Sequence, residues 1–177
     1  SKRFNVLYVS GYSFRQFFID LFRRKKTHSY HVTDTLAVYS PFALPPIKKY
    51  SSITIRLNKM LLSFLIKRRL KKLKFNNPIL WIYHPRYVDT IGKFKEGLLV
   101  YDCMDDFTSL LSDYEDRERN AGDERALLKK ADMIFAGGYS IADLKRDSRD
   151  RIHVFPSAVE IDHFKKALSD NLAMPDD

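Results

Sequence analysis

Along this chain the apolar positions come in two rhythms. Short continuous runs occur at Asn5–Val9, Ile79–Tyr83, Leu98–Tyr101, Met133–Ala136 and Ile152–Phe155. These runs predict strands, and the continuously apolar Ile79–Tyr83 and Leu98–Tyr101 predict strands buried on both faces. His31-Val32 and Leu36–Tyr39 are weaker strand signals, and Pro41, Pro45 and Pro46 then break the chain. Between the runs lie segments of helical character. Phe14–Arg24 predicts a first helix and Ser51–Lys74 a long one, which Asn76-Asn77-Pro78 ends. Asp123 is placed to cap a helix running through Ala131, with Leu127 and Leu128 inward, and Ser140–Arg146 predicts a short helix. The polar stretch Phe107–Gly122 predicts either a loop or a short helix.

Apolar strands separated by helices imply an α/β domain with a doubly wound, mainly parallel, Rossmann-like sheet. At 177 residues the chain is expected to fold as one domain. In such sheets ligands bind outside the carboxyl ends of the strands. The candidate chemistry therefore lies at Ser10–Ser13, His84–Arg86, Asp102–Asp106, Gly137–Ser140 and Pro156–Glu160.

Charge changes the picture. Residues 1–88 hold 18 Lys and Arg against Asp20 and Asp34, a net of +16, whereas the remainder carries a net of −7. No carboxylate occurs from Thr35 to Val88. On a helical wheel Arg56, Lys59, Lys67, Lys71 and Lys74 form one stripe, with Leu57, Leu61, Leu62, Leu65, Ile66 and Leu73 mostly opposite. A stripe of this kind either attracts an anionic surface, phospholipid or nucleic acid, or is an ordinary solvated face. Base-reading aromatics are not interleaved with it, which disfavours nucleic acid.

The longest strongly apolar stretch, Met60–Ile66, is far short of the ~20 residues that span a bilayer. With a single cysteine, Cys103, and no signal-peptide-like segment, a cytoplasmic protein, peripheral at the inner face of the plasma membrane, is expected. No phosphate loop or dinucleotide fingerprint follows the first strand, which has only Gly11 there, and no Cys/His spacing suggests zinc. Neither a cofactor nor a metal is expected.

Each candidate residue carries two readings. Asp102, Asp105 and Asp106 at a strand's carboxyl end supply either a general base, Asp105 first, or a helix cap and solvated loop charges. His84 and Arg86 either hydrogen-bond a polar ligand or phosphate or serve structure. Gly11, Tyr12 and Ser13 offer backbone N–H groups at a helix start or form a plain strand-to-helix turn. Gly137 and Gly138 allow close approach of a ligand or a flexible turn, and Glu124 supports the helix start or faces the cleft. Cys103 reads as a small buried residue and Trp81 as core.

Three segments in order carry a family resemblance. They are Leu99–Phe107, with its acidic Asp102-Cys103-Met104-Asp105-Asp106; the set Glu124, Leu127, Leu128, Ala131, Asp132 and Phe135; and Pro156–Glu160 continuing to His163-Phe164. Together with Arg15-Gln16 they resemble the N-terminal half of bacterial GT-B glycosyltransferases of the family 4, polysaccharide-assembling type. Ser157-Ala158 and Glu160 depart from the family's Asn-Gly and Asp. The resemblance implies that residues 1–177 are the acceptor-side Rossmann-like domain, that the donor-binding C-terminal domain lies outside this sequence, and that the fragment alone is inactive. The implied partners are a nucleotide-sugar donor held by that other domain and a lipid-linked or polysaccharide acceptor, with an anionic membrane surface beside them. A GT-B sugar-nucleotide epimerase and a basic nucleic-acid-binding module are the alternatives.

Overall fold

A computed structural model of the protein describes residues 4–10, 29–41, 52–109, 111, 113–145, 150–156 and 161–165. The chain divides into two compact units, Ser1–Leu80 with Asp89–Leu98, and Trp81–Val88 with Leu99–Asp177. The architecture is α/β and Rossmann-like, with a mostly parallel sheet flanked by helices.

The first unit holds a three-stranded sheet of order β1-β3-β2, made by β1 (Val6–Val9), β2 (Ser29–Thr33) and β3 (Leu36–Tyr39). β1 pairs parallel with β3, but β2 pairs antiparallel. Only Asp34 and Thr35 separate β2 from β3, too few for a crossover helix, so a hairpin is the one geometry the chain can make there. The Thr33 hydroxyl accepts from the backbone amides of Thr35 and Leu36 and holds that turn. The expected helix Phe14–Arg24 lies outside the described residues.

Helix α1 (Ser52–Lys72) contains no acidic residue and places Arg69, Lys71 and Lys72 in its last turn, where the negative end of the helix dipole favours cations. It ends as a Schellman motif: the Lys74 amide donates to Lys71 O, the Phe75 amide donates to Leu70 O, and Lys74 takes φ 57°. The inward side carries Ser63 and Ile66, both buried. Its rotation differs from the one the wheel suggests. Leu57, expected inward, is exposed, and Lys59 ion-pairs with Asp89. Apolar residues occur nearly all round this helix, so the cations alone could not fix which side turns inward.

The four-stranded sheet has the order β4-β5-β6-β7, from Ile79–Ile82, Leu98–Cys103, Met133–Ala136 and Ile152–Val154. β5 with β6 and β6 with β7 are parallel. β5 is buried nearly throughout, as its continuous apolar run requires. β4 is not: it is an edge strand, alternate residues face out, and Trp81 is 44% exposed. Trp81 is thus no core residue. Its indole N–H donates to Asp102 Oδ2 at 3.0 Å and its ring tilts against Phe135 at 5.2 Å.

Helix α2 spans Tyr114–Lys130, starting ten residues earlier than an Asp123 cap would allow. Asp113 is the cap; its carboxylate accepts the Asp116 amide at 3.2 Å. Leu127 and Ala131 carry the buried stripe into β6, and the Asp132 carboxylate accepts the Leu99 amide, tying the start of β6 to β5. The short helices α3 (Tyr139–Asp143) and α4 (Ile161–Lys165) follow β6 and β7. No helix among the described residues is long and apolar enough to cross a membrane.

Candidate functional site

The second unit gathers the sequence's candidates at the carboxyl ends of β4, β5 and β6. Two residues past β4, His84 Nδ1 accepts the Arg86 amide at 3.2 Å. The neutral ring therefore carries its proton on Nε2. Its face tilts onto Phe107 at 4.8 Å and its edge meets Tyr87 at 6.5 Å. Partial burial, helped by the Arg86 charge, lowers the pKa of His84, so the imidazole is neutral at physiological pH. Since Phe107 follows Asp106 directly, this stacking brings His84 to the acidic loop. Arg86 itself is exposed.

The three carboxylates differ in what their neighbours leave them. Asp102 lies within β5, buried, with Oδ2 committed to Trp81. Asp106 accepts the Ser109 hydroxyl and backbone amide, and these bonds lower its pKa, holding it ionised. Asp105 is exposed on the loop. Of the three it is the carboxylate most open to an incoming hydroxyl.

Gly137 and Gly138 follow β6, and the Gly137 amide donates to Cys103 O at 3.1 Å. A Cβ on Gly137 would stand 2.8 Å from the Met104 carbonyl oxygen and 3.2 Å from its Cα. The close approach this glycine permits is to the Met104 backbone, which fixes the loop after β6 against the loop after β5. Gly138 is the residue before α3, and a Cβ there would meet Ser140 Oγ at 4.0 Å, an ordinary contact.

Glu124 is buried beneath this surface. Its Oε1 accepts the Tyr101 hydroxyl at 2.7 Å and lies 2.9 Å from the Lys145 ammonium, with the Cys103 thiol at 3.7 Å. Burial, with Cys103 and Glu124 beside it, raises the Tyr101 pKa, so its phenol stays a donor. Burial pushes Cys103 up to about 11, so its thiol is neutral and no nucleophile at physiological pH. Lys145 was not foreseen. Its partner lies 21 residues earlier, in α2, while Lys145 itself sits in the turn after α3, and nothing local in the sequence marks it.

Gly11, Tyr12 and Ser13 lie outside the described residues, as do Arg15-Gln16 and 157–160. Ser10 lies in the first unit, its hydroxyl 2.5 Å from that of Ser40. Arg56, Lys67, Lys71 and Lys74 are exposed on the first unit, while Lys59 is partly covered by its pairing with Asp89. Among the described residues no three His, Cys, Asp or Glu side chains gather as a metal site.

A mostly parallel sheet with its polar groups at the carboxyl ends of consecutive strands is a Rossmann-like arrangement, and it matches the fold of one GT-B half. The chain is similar to a solved structure of sucrose-phosphate synthase from Thermosynechococcus elongatus, with a TM-score of 0.56 at 11% identity, covering 93% of this chain and 94% of that one. No family model matches the sequence, and no curated protein matches it. At that identity the likeness is one of fold.

Proposed function

We propose that this chain is the acceptor-side half of a glycosyltransferase of the bacterial polysaccharide-assembling type. The acceptor is a lipid-linked or polysaccharide hydroxyl, received at the carboxyl end of β4, β5 and β6. Asp105 is the general base, His84 offers Nε2–H to a sugar oxygen, and Gly137 and Gly138 shape the floor. A nucleotide-sugar donor is held by a second domain. Transfer takes place at the cytoplasmic face of the membrane, to which the cations of α1 hold the protein.

The observation that carries this reading is the convergence of His84, the Asp105–Phe107 loop and Gly137 at one sheet end, in a fold that is half of a GT-B enzyme. An exposed carboxylate on the loop whose Phe107 stacks against a neutral imidazole is suited to take a proton from a hydroxyl that the imidazole orients. In the enzyme with both halves, Asp105→Asn is expected to lower kcat roughly 100-fold with donor KM little changed. Asp102→Asn and Asp106→Asn, tested in parallel, are expected to act more weakly. If all three leave kcat within about threefold, the acidic loop is structural and the assignment fails.

A further inference from the structure

The outward face of α1 is not simply basic. Leu57, Met60 and Phe64, at i, i+3 and i+7, fall on one side of the helix and are 48%, 62% and 60% exposed. Lys67, Arg68 and Lys71 continue the same face through the last turns, all exposed. This face is therefore divided along the axis, with large apolar side chains in its first turns and cations in its last. No carboxylate lies on the helix or anywhere from Thr35 to Val88.

Three large apolar side chains held in water along one helix face cost free energy unless something covers them. The chemistry beside them selects the cover. A row of cations without a counter-carboxylate is complementary to a surface carrying both negative charge and hydrocarbon, which an anionic bilayer provides at one depth. Nucleic acid offers the charge but no hydrocarbon for Leu57 or Met60.

We infer that Leu57, Met60 and Phe64 are an insertion row: α1 lies in the plane of an anionic bilayer with these side chains below the headgroups, while Lys67, Arg68 and Lys71 bind lipid phosphates. This rests on the membrane-face reading proposed above and adds to it an apolar partner surface which charge alone does not supply. The division also predicts two separable components of binding. The cationic one is screened as salt shortens the Debye length, and the apolar one is not.

The test is flotation of the full chain with phosphatidylcholine vesicles containing roughly 30 mol% phosphatidylglycerol, over a salt series. Leu57→Ser/Met60→Ser/Phe64→Ser is expected to weaken partitioning on the order of 100-fold and to abolish the binding that survives high salt. Lys67→Glu/Arg68→Glu/Lys71→Glu is expected to remove the salt-sensitive part. Circular dichroism checks that both variants keep their helix. As a second readout, Phe64→Trp is expected to gain fluorescence quenching from acyl-brominated lipid beyond that of wild type, whose one tryptophan is Trp81. If charge reversal weakens flotation but the serine variant matches wild type at every salt concentration, the insertion row is refuted and the electrostatic reading stands. If charge reversal changes nothing, the membrane reading itself falls and the insertion row with it. Loss of self-association, and not of vesicle binding, in the serine variant would reassign the row to a protein contact.

Discussion

Replacing Lys145 by Met tests whether the buried pair beneath the acidic loop holds that loop in place. The ammonium and the Glu124 carboxylate are 2.9 Å apart with both side chains almost wholly covered. Removing one partner of a buried pair typically costs about 3–5 kcal/mol, because the other charge is left without compensation. Here the Tyr101 hydroxyl and the Cys103 thiol still donate to Glu124 Oε1, which places the expected cost near the lower end, about 3 kcal/mol. Against a typical total of ~5–15 kcal/mol, that is a large share. Glu124→Gln strands the ammonium instead and should cost about as much. The double variant leaves no buried charge, so its cost is expected to be about 1–2 kcal/mol, far less than the sum of the two. Urea melts followed by Trp81 fluorescence suit the measurement, since that indole belongs to the same unit. A Lys145→Met cost under about 1 kcal/mol, or additive single effects, would show that the pair is not coupled as described. Lys145 also helps keep Asp106 ionised, so its loss should raise the Asp106 pKa.

Two glycines should respond oppositely to alanine. Gly122 sits inside α2 with nothing within 4 Å of a new Cβ, so Gly122→Ala should add about 0.5–1 kcal/mol of stability. Gly137→Ala must displace the Met104 backbone and should destabilise by roughly 1–3 kcal/mol; urea melts of both variants check the contrast. Cys103 is expected to resist a soluble disulfide reagent in the native state at pH 8 and to react once the chain is unfolded in urea. Because folding raises its pKa to about 11, the folded state keeps a proton that the unfolded chain loses in alkali. Stability should therefore fall as pH rises from the ordinary thiol range towards that value, and Cys103→Ala should flatten this slope in alkaline melts.

The alternation of strands and helices, and with it the α/β class, was legible because continuous apolar runs such as Leu98–Tyr101 have few other uses in a chain of this size. β5, β6 and the Leu127–Ala131 stripe stand where the pattern puts them. The start of α2 was not legible from apolar spacing, because its first turns bury little, and the signal that counts is Asp113 three residues before Asp116. Trp81 misled because an edge strand and a central strand share the same apolar vocabulary; its position became clear only through the sheet order and its bond to Asp102. The rotation of α1 depends on Tyr39, whose ring lies under Arg69, and on Asp89, which takes Lys59, and both are distant in sequence. In the site, the acidic loop and His84 were visible as strand-end residues. Glu124 left two readings open that its partners now narrow: its Oε1 is occupied by Tyr101 and Lys145.

The most direct measurement is amide chemical-shift mapping by NMR on the isotope-labelled chain, titrated with mono- and oligosaccharides and, separately, with UDP and GDP. Acceptor binding at the carboxyl end of β4, β5 and β6 predicts shifts at His84, Asp105, Asp106, Phe107, Gly137 and Gly138 with at least one glycan, lost in His84→Ala, and only weak responses to the nucleotides. Micromolar nucleotide binding centred on those same residues, or glycan shifts that avoid all of them, would contradict the assignment of this surface to the acceptor.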